Sequence, residues 1–266
     1  MLINGKGSTQ PVIVFAALLM TILVMRGPIT CIGAVADEII ESLQIGYPAY
    51  GFLSALPIAC FGLFCAAAPA MSKRFGLIGT LLISLGLLLA GTLGRLLPIY
   101  STMLISTALI GIGIALLNVL MPVLLRDYFP DNISLVMGVF TGFIGFSGSI
   151  GAYFSVPLLH TFDSLMGPLG LWVAMGAIAL LCWLAVPKRK KISVSGGVFD
   201  WGLLKKPLTW TVIFVMGMQS LTIYTTVAWL PTILNTLGFS ASIAGLGSAV
   251  FFIGERPSQY FDSCLY

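Results

Sequence analysis

The sequence predicts an all-α integral membrane protein, and three observations carry that reading. Of 266 residues, 58% are apolar and 8% are charged, where a soluble globular chain carries about 25% charged residues. The mean hydropathy is +1.06. The apolar residues gather into eight runs near the length of about 20 residues that crosses a bilayer. Inside these runs, as from Leu81 to Leu89, polarity does not alternate as it does in a membrane β-strand. This composition argues against a water-soluble enzyme domain, a disordered chain and a nucleic-acid binder with a basic face. Its 11% aromatics and 30 glycines suit closely packed membrane helices.

The expected spans are 11–36, 48–70, 76–95, 98–124, 133–159, 168–187, 208–230 and 239–254. The first is too long for a secretory leader and shows no small-residue cleavage site, so it reads as a retained span. Short polar loops separate the runs, and their charges sort. Lys6 precedes span one, Lys73 and Arg74 follow span two, and Arg126 follows span four. Lys188, Arg189, Lys190, Lys191, Lys205 and Lys206 lie between spans six and seven, and Arg256 follows span eight. Eleven of the 13 basic residues therefore fall on one side. Arg95 sits on the other side, and Arg26 sits in neither. The loops 37–47, 160–167 and 231–238 hold no Lys or Arg. By the positive-inside rule the N-terminus, the 188–207 segment and the C-terminus are cytoplasmic.

The chain divides into a six-helix bundle (1–187), a basic cytoplasmic linker (188–207), two further helices (208–254) and an atypical tail (255–266). In the linker the basic run gives way to Ser193, Ser195, Gly196 and Gly197, then to an amphipathic stretch around Phe199, Trp201 and Leu203. The amphipathic stretch is expected on the membrane surface.

Arg26 is the most informative residue. It lies near the middle of span one, where an arginine costs about 2.5–3.5 kcal/mol on insertion scales. Asp37 and Glu38 are the nearest acids in sequence. They lie roughly 16–18 Å further along a helix, too far to pair. Backbone carbonyls, water in a cavity or an anionic substrate remain as partners. Pro28 removes the N–H that the Val24 carbonyl would accept, and Gly27 loosens the turn, so span one is expected to break there. A broken helix beside a buried cation is a common midplane site in transporters. The structural alternative is an Arg26 bonded to neighbouring carbonyls that holds the bundle together.

Other polar residues carry two readings each. Asn118, followed by Pro122, lines a pathway or hydrogen-bonds across helices for about 0.6–2 kcal/mol. Gln219 and Tyr224 face a cavity or pack, and Trp229 is an interface anchor or a packing residue. Gly138, Gly142, Gly145, Gly148 and Gly151 form a small-residue stripe on span five. The stripe favours close helix packing, with a rocking surface as the functional version. No Asp or Glu lies mid-span, so no proton-relay site is evident. The five cysteines show no paired pattern and read as small packing residues. His160 is the lone histidine, which leaves no zinc site built on two histidines. No enzyme motif is present: Gly111-Ile112-Gly113 lies inside an apolar span, and a Ser-His or Cys-His system has only His160 to draw on. No cofactor, metal or nucleic acid is expected.

Several segments are familiar together. They are Met25-Arg26-Gly27-Pro28, Ser72-Lys73-Arg74-Phe75-Gly76, Gly113 to Pro122 and Arg126-Asp127-Tyr128-Phe129-Pro130. To these add Gln219-Ser220-Leu221, Tyr224, Ala228-Trp229-Leu230-Pro231, Gly238-Phe239-Ser240 and Ala244-Gly245. The chain resembles the major facilitator superfamily, specifically its bacterial cyanate and nitroimidazole permeases, over roughly residues 12–252. The resemblance implies the six-helix N-terminal bundle of that fold plus two helices of an incomplete C-terminal bundle. It implies an inner-membrane carrier of a small polar or anionic solute, cyanate-like or nitroimidazole-like, working by alternating access. Arg26, Asn118, Gln219 and Tyr224 are then the substrate-binding candidates. Lys73, Arg74, Pro28, Gly145, Gly148 and Trp229 are the gating or structural ones. The expected partners are the lipid bilayer, the solute, and a complementing C-terminal half or a second copy of the chain. Two features depart from the family. The loop after span two lacks the acidic residue of the Gly-x-x-x-Asp-Arg motif, and eight spans stand where the family has twelve. The alternative is a truncated or frame-shifted remnant that does not transport.

Overall fold

The computed structural model describes residues 10–130, 133–186, 202 and 205–238. Every element among them is an α-helix, and seven of these helices are long and apolar enough to cross a membrane. The expected all-α membrane fold is therefore found. The expected span at 239–254, the tail at 255–266, Lys6 and most of the 188–207 linker lie outside the described residues.

The order is α1 (Gln10–Ala34), α2 (Ala36–Leu43), α3 (Tyr47–Phe64), α4 (Ala67–Phe75), α5 (Leu77–Gly94), α6 (Tyr100–Tyr128), α7 (Ile133–Phe162), α8 (Met166–Ala185) and α9 (Pro207–Thr236). Several expected boundaries move, each for a local reason. Asp37 and Glu38 are not in a loop but in the first turn of α2, where the helix dipole favours acids. The expected span 48–70 divides at Cys65-Ala66. Pro69 has no N–H for the Cys65 carbonyl, and Ala68 N donates to it instead at 3.2 Å in a tighter turn. Gly76, at φ 78°, closes α4 in a conformation that disfavours other residues. Arg126 belongs to the last turn of α6, which ends at Phe129 because Pro130 disfavours helix in the residue before it. His160 likewise sits in the last turn of α7. Past its expected end at 230, α9 continues through Pro231 to Thr236, because a proline's φ suits a helix and only one backbone bond is lost.

The break expected at Pro28 does not occur. The backbone of α1 stays helical from Gln10 to Ala34 with Pro28 inside it. Side-chain donors collect on the carbonyls around the proline. Ser147 Oγ of α7 donates to Leu23 O at 2.5 Å, and Thr30 Oγ1 donates to Gly27 O at 3.2 Å. Arg95 Nη1 donates to Pro28 O at 2.7 Å. These donors bond neighbouring carbonyls rather than Val24 O; the proline stays within the helix because its φ is helical and only one backbone bond is lost.

Helix α1 packs along α7 and α8 and also meets α3 and α9, while α5 packs on α6 and α8. One apolar cluster joins Val14, Leu18 and Ile22 to Leu81, Leu85, Leu117 and Trp183. A second, nearer α2, joins Ile32, Ile39, Tyr50, Leu53, Met103 and Trp172. Helices α1 and α7 come close together at Gly151 of α7. A Cβ there would come 2.8 Å from Gly27 O and 2.9 Å from Gly27 Cα. Gly148 is buried and Gly145 half-buried on the same helix. Large apolar side chains such as Leu63, Ile105, Leu181 and Phe214 point outward, as lipid-facing positions require.

Trp183 Nε1 donates to Thr21 Oγ1 at 2.7 Å, and Thr21 Oγ1 donates to Ala17 O at 2.8 Å. Both side chains are buried. Thr21→Val keeps the shape but orphans the indole N–H, at a cost of about 1–3 kcal/mol. A lower Tm in detergent is expected, with Thr21→Ser close to wild type. Equal melting of Thr21→Val and wild type would show that the bond contributes nothing.

Candidate functional site

Arg26 projects from α1 toward α9. Its Nη1 donates to Tyr224 Oη, and its Cζ lies 5.2 Å from the centre of the Tyr224 ring. That distance is within cation–π range. The Tyr224 ring also meets Phe61 of α3 edge-on at 6.0 Å. Two of the residues singled out in sequence are thus in contact, through a partner type the sequence reading did not weigh: a tyrosine hydroxyl.

Trp229, one turn further along α9, sits edge-on to Tyr50 at 5.7 Å and near Tyr47 at 6.3 Å. Tyr50 is fully buried and donates to Ile32 O at 3.1 Å. These aromatic contacts dock α9 on α1 and α3. Asn118 and Gln219 do not join them; both side chains are exposed, on α6 and α9. Lys73 and Arg74 are exposed in the last turn of α4, where the helix dipole favours cations, and Arg74 Cζ lies 5.4 Å from the Phe75 ring centre.

Arg95 lies in the turn after α5, yet it is not a solvated cation. It follows α5 and is 3% exposed. Its Nε and Nη2 donate to Thr107 Oγ1 at 3.2 and 3.1 Å, and its Nη1 donates to Pro28 O. Positive charge read along a chain places arginines in loops. The signal that this one differs is its setting between Gly94 and the apolar pair Leu96-Leu97, without a polar neighbour. Burial becomes tolerable because a span residue, Thr107, and the proline-bearing turn of α1 supply acceptors. The hydrogen-bond partners of the two guanidiniums are a tyrosine hydroxyl, a threonine hydroxyl and a backbone carbonyl.

A narrow cleft of about 20 Å³ lies between α1, α3 and α9, with Ile32, Tyr50, Pro57, Tyr224, Ala228 and Arg95 among its walls. A second cavity of about 270 Å³ lies toward α2, against Leu43, Pro98, Met103 and Leu169, and Arg95 lines it too. Arg95 is buried on a hydroxyl and a carbonyl at the cleft, and the half-buried Arg26 bonds the Tyr224 hydroxyl that forms part of its wall. Uncompensated buried charge of this kind attracts an anion or a strong dipole.

These features define a multi-pass helical membrane protein with cationic groups inside its bundle. The chain belongs to the Major Facilitator Superfamily, whose profile matches residues 14–258. It is 30% identical over 246 residues to the 2-nitroimidazole transporter of Escherichia coli (strain K12), a match covering 91% of this chain and 62% of that protein. It is 29% identical over 243 residues to the uncharacterized transporter YycB of Bacillus subtilis (strain 168), covering 91% and 60%. It is 25% identical over 233 residues to the cyanate transport protein CynX of Escherichia coli (strain K12), covering 87% and 61%. The chain therefore spans about three-fifths of the length of these relatives.

Proposed function

We propose that this chain belongs to a carrier that moves a small polar or anionic solute, cyanate-like or nitroimidazole-like, across a bacterial inner membrane by alternating access. The observation that carries the reading is the Arg26–Tyr224 contact. A cation of the six-helix half meets the first helix of the following half through a tyrosine hydroxyl. A site shared by two halves is one that rocking of the halves opens and closes. The names of two relatives, for cyanate and 2-nitroimidazole, support a small solute of that class.

In this reading Arg26 and Tyr224 hold the solute, and Asn118 and Gln219 lie along the path on α6 and α9. Pro28, Gly145 and Gly148 shape the α1–α7 surface, Trp229 seats α9, and Lys73 and Arg74 act at the cytoplasmic end. The units are 1–187, 188–207, 208–254 and 255–266, with both termini cytoplasmic. A complementing half or a second copy completes the path.

The test is binding to the purified chain in nanodiscs. Arg26→Gln is expected to weaken freshly dissolved cyanate about tenfold, or about 1.4 kcal/mol, with expression little changed. Equal affinity in both proteins would remove Arg26 from the site. No binding of either cyanate or 2-nitroimidazole to the wild-type chain would remove the reading itself.

A further inference from the structure

We infer that Arg95 is a second anion-binding residue, one that takes a small monovalent anion from the cavity near α2 and passes it to Arg26 and Tyr224. The inference rests on the transport reading above and adds a specificity-determining residue to it.

Four observations converge. Arg95 is 3% exposed, yet it lines both the α2-side cavity and the cleft between α1, α3 and α9. It is the residue common to the two spaces. Tyr224 lines that same cleft and carries the bond from Arg26, so one cation lines the cleft and a second sits one side chain behind its wall. The acceptors of Arg95 are neutral: the Thr107 hydroxyl and the Pro28 carbonyl. An arginine has five N–H donors, and these bonds engage three of them. One hydrogen on Nη1 and one on Nη2 remain for a ligand.

A staple between α5 and α1 needs a donor but not a full charge. Keeping an unpaired guanidinium buried is costly, and that cost is offset when a mobile anion visits it. The cleft is small and its other walls, Ile32, Pro57 and Ala228, are apolar. Such walls suit a compact, weakly hydrated monovalent ion and disfavour a multiply charged one. The planar fork of an arginine fits two oxygens or the end of a linear anion better than a lysine does.

The experiment compares two ligands on the full chain in nanodiscs: cyanate, and 2-nitroimidazole held at a mildly acidic pH where it is neutral. Arg95→Gln is expected to weaken cyanate binding at least tenfold while 2-nitroimidazole binding stays within about twofold. Arg95→Lys, which keeps the charge and loses the fork, is expected to give an intermediate loss for cyanate alone. It also answers the case in which Arg95→Gln does not fold. A purely structural Arg95 would shift both ligands together, or neither, and either result overturns the inference. If Arg26→Gln weakens cyanate and Arg95→Gln does not, the inference fails and the transport reading stands. If the wild-type chain binds neither ligand, both fail.

Discussion

Gly151→Leu is expected to prevent the bundle from assembling. The first atom of any side chain at 151 meets the backbone of Gly27, its oxygen at 2.8 Å and its Cα at 2.9 Å. Neither can rotate away as a side-chain tip can. Leucine would force α7 off α1 along the surface where Ser147 bonds Leu23 O and Thr30 packs. Overpacking with backbone displacement costs about 1–3 kcal/mol and occasionally more, a large share of a typical folding free energy. The expected readout is loss of the monodisperse peak in detergent. Gly138→Leu, on the same helix, meets nothing within 4 Å and is expected to behave as wild type. Similar chromatograms for the two variants would show that the α1–α7 contact is looser than the geometry requires.

Arg26→Glu is expected to abolish anion binding more completely than Arg26→Gln. Glutamine removes the attraction; glutamate replaces it with repulsion inside a low-dielectric bundle, where charges act strongly. A carboxylate at 26 still has Tyr224 Oη to accept from, so the chain is expected to fold. The loss for cyanate is expected to reach about 100-fold, on the order of 2.7 kcal/mol, with a smaller change for neutral 2-nitroimidazole. Titration of the three proteins decides it. If the glutamate variant binds cyanate as tightly as the glutamine variant, the charge at 26 is not what the anion senses.

Much of the helical layout was legible along the chain. Apolar runs near bilayer length give helices because no water is present to satisfy an open backbone, and six spans and α9 lie where those runs lie. Arg26 and Tyr224 stood out separately as polar groups in apolar runs. Their contact did not, because nothing local links residues 198 positions apart. The charge-sorting rule gave Arg95 a side but could not foresee its burial, since the rule counts charges and cannot see acceptors.

Composition and run length alone settle that this chain is a multi-helix membrane protein with a cation in its first span, because hydrophobicity acts on each segment independently of the others. Which oxygens quiet each arginine, which donors meet the carbonyls around Pro28, and which space the charges face all depend on neighbouring helices. Those answers come from Thr107, Ser147 and Tyr224, residues on three other helices whose approach only packing brings about.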